Sequence, residues 1–137
     1  MNVIVCVSDG GGMLFAKRRL SRDAAVISDV EKTVGGGALF VTDYSAKLFE
    51  NTALGAVRAE NPLSEASAGD YVFLEEKGIS DFKEDVESLI IYRWNRKYLF
   101  DFRLDREPGS LGMKLVECTE FKGCAHEKIT REIWKRG

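Results

Sequence analysis

The sequence predicts an α/β fold, in which a mainly parallel, twisted sheet is flanked by helices and gains an antiparallel end. In the first two thirds of the chain, unbroken apolar runs are separated by segments with helical periodicity, which is typical of parallel strands covered on both faces. In the last third the helical segments stop and strand-like segments follow one another. The 137 residues match the size of one ordinary domain, so we expect a single domain over residues 1–137.

The first predicted unit is a buried strand, a glycine turn and a helix. Val3–Val7 is a continuous apolar run, and Gly10–Gly12 follows it as a tight turn, because glycine adopts positive φ freely. Ser21 is a good N-cap, so we expect a helix to begin there. Asp23 would then lie in its first turn, where negative charge is favoured. Gly35–Gly37 ends this helix.

The rest of the chain is predicted as shorter elements. Helical turns are expected after Thr42 or Asp43, at Pro62–Ser67 and at Ser80–Val86, the last with Ser80 as its cap. The segment Ala125–Trp134 fits a helix face and strand alternation equally, so its pattern leaves both open. The remaining strand candidates are Ala38–Val41, Ala56–Ala59, Tyr71–Leu74, Leu89–Trp94, Tyr98–Leu104 (with one wet face) and Met113–Phe121.

Composition narrows the class of function. A net charge of −2 argues against a strongly basic nucleic-acid binder. The sequence contains no apolar run of about 18 residues, so no membrane span is expected. The cysteines Cys6, Cys118 and Cys124 are an odd number without a close pair, which favours a reducing compartment, hence the cytoplasm. A protein-built metal site is not expected, because His126 is the single histidine.

Six segments, taken in order, resemble a known family. They are NVIVCVSDGGGMLF, SRDAAVISDVEKT, GALFVTDYS, DYVFLEEKGISDFKEDVESLIIYRW, YLFDFRLD and KLVECTEFKGCAHEKITREIW. Their order is similar to that of dihydrofolate reductase, over nearly the whole chain. The resemblance implies a reductase-like sheet that closes with an antiparallel C-terminal hairpin, so Ala125–Trp134 is expected to be a strand. It also implies that Asp23 falls on the catalytic acid of that family.

The chain departs from the family where the family binds its cofactor. The resemblance implies NADPH, whose phosphates approach adjacent glycines after the strand that corresponds to Tyr71–Leu74. Here Glu75, Glu76 and Lys77 stand at that place, and two carboxylates would repel phosphates. The sequence therefore does not identify the cofactor, and NADPH bound in an altered pose is one hypothesis.

Asp23 is the candidate catalytic residue. A carboxyl partly buried beside apolar walls has a raised pKa, as acid–base chemistry at neutral pH requires. The alternative is an aspartate that only stabilises the helix start or pairs with Arg19 or Arg22.

The candidate ligand-binding residues lie on both sides of Asp23. Arg18, Arg19 and Arg22 stand near a helix start and suit a phosphate or carboxylate, although charge runs are also solvated faces. Tyr44 and Ser45 follow a buried strand at its carboxyl end, where open α/β sheets bind ligands, although both could serve helix capping alone.

Three hypotheses of function follow. In the first, a divergent reductase-like protein binds a small anionic, phosphate-bearing or heterocyclic ligand, whether or not it is an enzyme. In the second, the chain is an NADPH-dependent reductase with an altered cofactor pose. In the third, the arginine-rich loop serves a non-catalytic interaction module, with a homodimer as one form.

Overall fold

The computed structural model describes residues 1–136. The strands are β1 (Asn2–Val7), β2 (Gly12–Phe15), β3 (Arg18–Arg19), β4 (Leu39–Val41), β5 (Ala56–Arg58), β6 (Tyr71–Leu74), β7 (Ser88–Arg93), β8 (Phe102–Arg103), β9 (Met113–Phe121) and β10 (Ile129–Arg136). The helices are α1 (Ala24–Val34), α2 (Asp43–Ala46) and α3 (Pro62–Glu65), with 3-10 turns at Lys47–Phe49, Ser80–Asp85 and Pro108–Leu111. None of the helices within residues 1–136 is both long and apolar enough to cross a lipid bilayer.

The main sheet has seven strands in the order β5-β4-β6-β1-β7-β10-β9. The first five are parallel, whereas β10 runs antiparallel to both β7 and β9. The predicted α/β class, the mainly parallel sheet and the antiparallel C-terminal hairpin are confirmed. The hairpin also settles the segment Ala125–Trp134: Ile129–Trp134 belongs to β10, whereas residues 125–128 lie in the turn before it.

Both faces of the main sheet are covered at β1, as its unbroken apolar run predicted. Along β1, Val3 and Val5 pack into the core on one face. Ile4 packs into the core on the other face, against Val26 and Val30 of α1. All three β1 side chains are fully buried, so the strand has no wet side.

Helix α1 begins later than predicted. Asp23, with extended backbone, is its N-cap and accepts a hydrogen bond from the Ala25 N–H. The expectation that Ser21 caps the helix is wrong, because the helix begins only at Ala24 and Asp23 is the residue whose side chain reaches a free N–H of the first turn. Gly35, with φ +60°, ends the helix as expected.

The segment between β1 and α1 is a hairpin rather than an open loop. Gly10 and Gly11 turn the chain with φ of +89° and +84°, and Ala16 and Lys17 then turn β2 back into β3 with positive φ. A second, three-stranded sheet results, in the order β3-β2-β8.

Two smaller expectations are wrong. Within Tyr98–Leu104 only β8 is a strand, and it pairs with β2 instead of the main sheet. Ser80 does not cap its turn: Ile79 occupies the cap position without a side-chain hydrogen bond, and the Ser80 N–H donates to Asp105.

Candidate functional site

A cleft lies at the carboxyl ends of β1, β6 and β7, beneath the segment that joins β3 to α1. It is narrow, with a volume of about 20 Å³, which is room for about one water molecule. Its polar lining residues are Arg19, Ser21, Arg22, Asp23 and Glu75. Its apolar walls come from Cys6, Met13, Leu20, Val26, Ile27, Leu48, Phe73 and Trp94.

Asp23 forms the part of the cleft nearest to the β9–β10 turn. Its side chain has no exposed surface, and each carboxylate oxygen accepts two hydrogen bonds. Oδ1 accepts from the backbone N–H groups of Ala25 (2.9 Å) and Cys124 (2.8 Å). Oδ2 accepts from the Ala125 N–H (2.8 Å) and from His126 Nδ1 (3.0 Å). One carboxylate therefore caps α1 and also holds the turn between β9 and β10.

These four donors set the protonation of Asp23. Burial alone would raise the pKa of the carboxyl, but the hydrogen bonds from Cys124, His126, Ala125 and Ala25 outweigh it and lower the pKa to about 2. The expectation of a raised pKa is wrong, because the carboxylate faces N–H groups and not only apolar walls. Asp23 is charged at neutral pH and acts as an acceptor.

The lowered pKa makes the fold sensitive to acid. Relative to the ordinary value of 3.8, a folded-state pKa of about 2 corresponds to roughly 2.5 kcal/mol of stability, present above the ordinary pKa and lost as the pH falls towards 2. Between about pH 5.5 and about pH 2.5, the wild type should lose roughly 1.5 kcal/mol more than the Asp23→Asn variant. Urea unfolding at both pH values measures this, and equal losses would contradict it.

His126 is buried in the same turn, a position that sequence reasoning missed. Its ring stacks on Trp94 with centroids 4.6 Å apart and an interplanar angle of 21°. Because the Asp23 carboxylate only accepts, Nδ1 carries the proton and donates it. In the neutral ring Nε2 then accepts, and the hydroxyls of Ser21 (3.0 Å) and Tyr98 (2.9 Å) both lie within hydrogen-bonding distance of it.

Arg19 enters the other side of the cleft and pairs with Glu75, the residue after β6. Arg19 Nε and Nη2 donate to the two carboxylate oxygens over 2.8 and 3.0 Å, and the guanidinium lies 4.6 Å from the Tyr44 ring centroid. The Ser45 hydroxyl donates to Glu75 Oε1 over 2.8 Å. The charge of the predicted anion-binding arginine is thus balanced within the protein.

The predicted ligand-binding residues are spread over three places. Arg19 and Arg22 line the cleft together with Asp23, and the Arg22 side chain is exposed at its rim. Arg18 lies outside, in a surface groove beside Tyr98. Tyr44 and Ser45 do not line the cleft. Tyr44 accepts hydrogen bonds from Arg19, and Ser45 donates one to Glu75.

The end of β6 does not fit the phosphates of a nicotinamide cofactor in the pose that the resemblance implies. Glu75 is buried there, and Glu76 accepts a hydrogen bond from the Thr42 hydroxyl at 2.9 Å. Two carboxylates at this place would repel the phosphates of a cofactor. Within residues 1–136, no group of histidine, cysteine and acidic side chains is placed to hold a metal ion.

Comparisons with known proteins support the fold alone. No protein-family model matches the sequence, and no curated protein matches it. Among solved structures, the chain is similar to the dihydrofolate reductase from Enterococcus faecalis complexed with NADP(H) and RAB-propyl. The TM-score is 0.70 at 8% sequence identity, and the match covers 99% of this chain and 95% of that one. The chain therefore has the dihydrofolate reductase-like fold that its sequence predicted.

Proposed function

We propose that this chain, a divergent protein of the dihydrofolate reductase-like fold, binds a small, flat heterocyclic molecule in the Asp23 cleft. The observation that carries the proposal is the Arg19–Glu75 pair, which places a hydrogen-bond donor and an acceptor between apolar walls. Binding sites for small molecules combine apolar walls with a few fixed polar groups in this way.

The atoms of the pair that remain free support a heterocycle. Arg19 Nη1 makes no hydrogen bond to any residue among positions 1–136, and Glu75 Oε2 accepts only from Arg19 Nε. Nη1 lies on the edge of the guanidinium away from Glu75, so a heterocycle that carries an acceptor and an N–H donor at separate positions would match the two atoms. A simple anion is less favoured, because Glu75 balances the charge of Arg19 and would repel a second negative group.

The flat shape of the ligand follows from the walls. Trp94 borders one end of the cleft, and Phe73, Leu20 and Leu48 contribute apolar surface. Because the cleft has room for only about one water molecule, the ligand would enter by displacing the segment from Leu20 to Arg22, whose ends are tied by the Arg19 and Asp23 hydrogen bonds. Ligand binding should therefore change the exposure of this segment more than that of the main sheet.

Thermal shift with a panel of probes tests the proposal. The probes are folate analogues, reduced nicotinamide cofactor, nucleotides and inorganic phosphate. We expect a heterocyclic probe to stabilise the protein, and the Glu75→Gln variant to bind it at least about tenfold more weakly, since hydrogen bonds to a charged group are lost. Glu76→Gln is the matched control, because this neighbouring carboxylate bonds Thr42 outside the cleft and should leave affinity unchanged.

Other outcomes would contradict the proposal in distinct ways. Stabilisation by inorganic phosphate that Arg19→Met abolishes would support an anion site instead. Stabilisation by the reduced cofactor that Glu75→Gln leaves intact would favour the NADPH-dependent reductase. No shift with any probe, together with a concentration-dependent dimer, would favour the interaction module.

A further inference from the structure

Ser21, His126 and Asp23 form one hydrogen-bonded row, and its two ends, Ser21 and Asp23, line the cleft. Ser21 Oγ lies 3.0 Å from His126 Nε2, and His126 Nδ1 lies 3.0 Å from Asp23 Oδ2. A hydroxyl, an imidazole and a carboxylate in this order are the parts that activate a serine as a nucleophile. The row is formed by residues from two distant parts of the chain, so no local sequence motif predicts it.

The imidazole in this row is held firmly. Its side chain is 2% exposed, its ring stacks on Trp94, and Asp23 fixes the tautomer in which Nε2 accepts. Asp23 is itself locked by three backbone N–H groups, so it holds the ring in place while remaining charged. The base and its orienting carboxylate are thus preorganised.

Ser21 lines the cleft, and its hydroxyl has a second polar neighbour. Ser21 lines the cleft, whereas His126 does not, so a molecule in the cleft would meet the serine first. The Tyr98 hydroxyl lies 3.4 Å from Ser21 Oγ. It can donate to Ser21 while Ser21 donates to His126, and at this distance it is near enough to donate to the oxyanion of a carbonyl attacked by Ser21.

We infer that Ser21 is a nucleophile that cleaves small carboxylic esters, with His126 as general base, Tyr98 as donor to the oxyanion and Asp23 as the residue that positions His126. Ser21 Oγ bonds to the carbonyl carbon and its proton passes to His126 Nε2. The bond to the alcohol oxygen then breaks, and the alcohol leaves with that proton. Water, deprotonated by His126, attacks the acyl-serine and releases the carboxylic acid and the free serine. The apolar walls and the small volume of the cleft favour a short, apolar acyl group.

This inference does not require the ligand proposed above, because it uses other side chains of the same cleft. Loss of heterocycle binding in Glu75→Gln and loss of reactivity in Ser21→Ala are separate results.

Covalent labelling tests the inference. The wild-type protein is treated with an alkyl fluorophosphonate, which loses fluoride to an activated serine, and with p-nitrophenyl acetate, and the modified residue is located by peptide mass spectrometry. We expect labelling and acetylation at Ser21, none in Ser21→Ala, and a rate about a hundredfold lower in His126→Gln. Ser28→Ala, at an exposed serine of α1, should react like the wild type.

Two further variants separate chemistry from structure. Added imidazole should restore part of the labelling rate in His126→Ala, which a merely structural histidine would not permit. Asp23→Asn should lower the rate and change the tautomer of His126, as seen in the imidazole nitrogen NMR spectrum. An unmodified wild type, or equal labelling of Ser21→Ala, would overturn the inference.

Discussion

The Asp23→Asn variant should lose about 3 kcal/mol of unfolding free energy, although the two side chains have nearly the same shape. In the native protein each carboxylate oxygen accepts two hydrogen bonds. An amide keeps one oxygen and replaces the other by an NH₂ group, so in either orientation two donors face a donor. When the amide nitrogen takes the place of Oδ2, a change of tautomer at His126 removes one of these two clashes between donors. The buried backbone N–H at that position still has no acceptor.

Urea unfolding at neutral pH measures this loss. Asp43→Asn is the matched control, because Asp43 also lies at a helix start, in the first turn of α2, yet its side chain is 87% exposed and its ion pair with Arg58 is long, at 3.7 Å. That control should change stability by less than about 0.5 kcal/mol. Similar small effects in both variants would show that the Asp23 contacts contribute little to folding.

Gly123→Ala should destabilise the protein by about 2–3 kcal/mol, because the added methyl group would collide with Asp23 and its neighbours. A Cβ atom at this position would lie 2.5 Å from Asp23 Oδ2, 2.7 Å from Ile129 Cδ1 and 2.9 Å from the His126 carbonyl oxygen. None of these neighbours is free to retreat, because Asp23 is held by its four donors and Ile129 is fully buried. The glycine is needed here for close approach, not for an unusual φ.

The control for this substitution is Gly109→Ala. A Cβ atom added at Gly109 meets no atom within 4 Å, so the change should be neutral within about 0.5 kcal/mol. Thermal unfolding of both variants beside the wild type gives the comparison. A Gly123→Ala protein as stable as the wild type would mean that the turn can open away from Asp23 without cost.

The fold could be predicted where a local pattern has one explanation. β1 shows this: an unbroken apolar run requires two covered faces, and the strand has them. β10 shows the opposite case. Ile129 and Ile133, four residues apart, suit a helix as well as one face of a strand. Pairing with β7 and β9 makes this segment a strand, and no local pattern contains that pairing.

The candidate site could be predicted only in part. Asp23 can be recognised because a helix start lies within a few residues of it, and Arg19 because it lies close to Asp23 in the sequence. Their partners are far away: Glu75 lies 56 residues from Arg19 and His126 lies 103 residues from Asp23. Glu75 was interpreted only as a departure from a glycine motif, and a lone histidine in a turn has no sequence signal for burial.

The hydrogen bond from His126 to Asp23 joins the two halves of the site, and it is directly observable because this chain has a single histidine. A long-range ¹H–¹⁵N NMR spectrum at about pH 8, where an ordinary imidazole is neutral, shows which ring nitrogen carries the proton. We expect one slowly exchanging species with the proton on Nδ1 and with Nε2 as acceptor. A proton on Nε2, or the averaged signals of a freely exchanging ring, would contradict the described site.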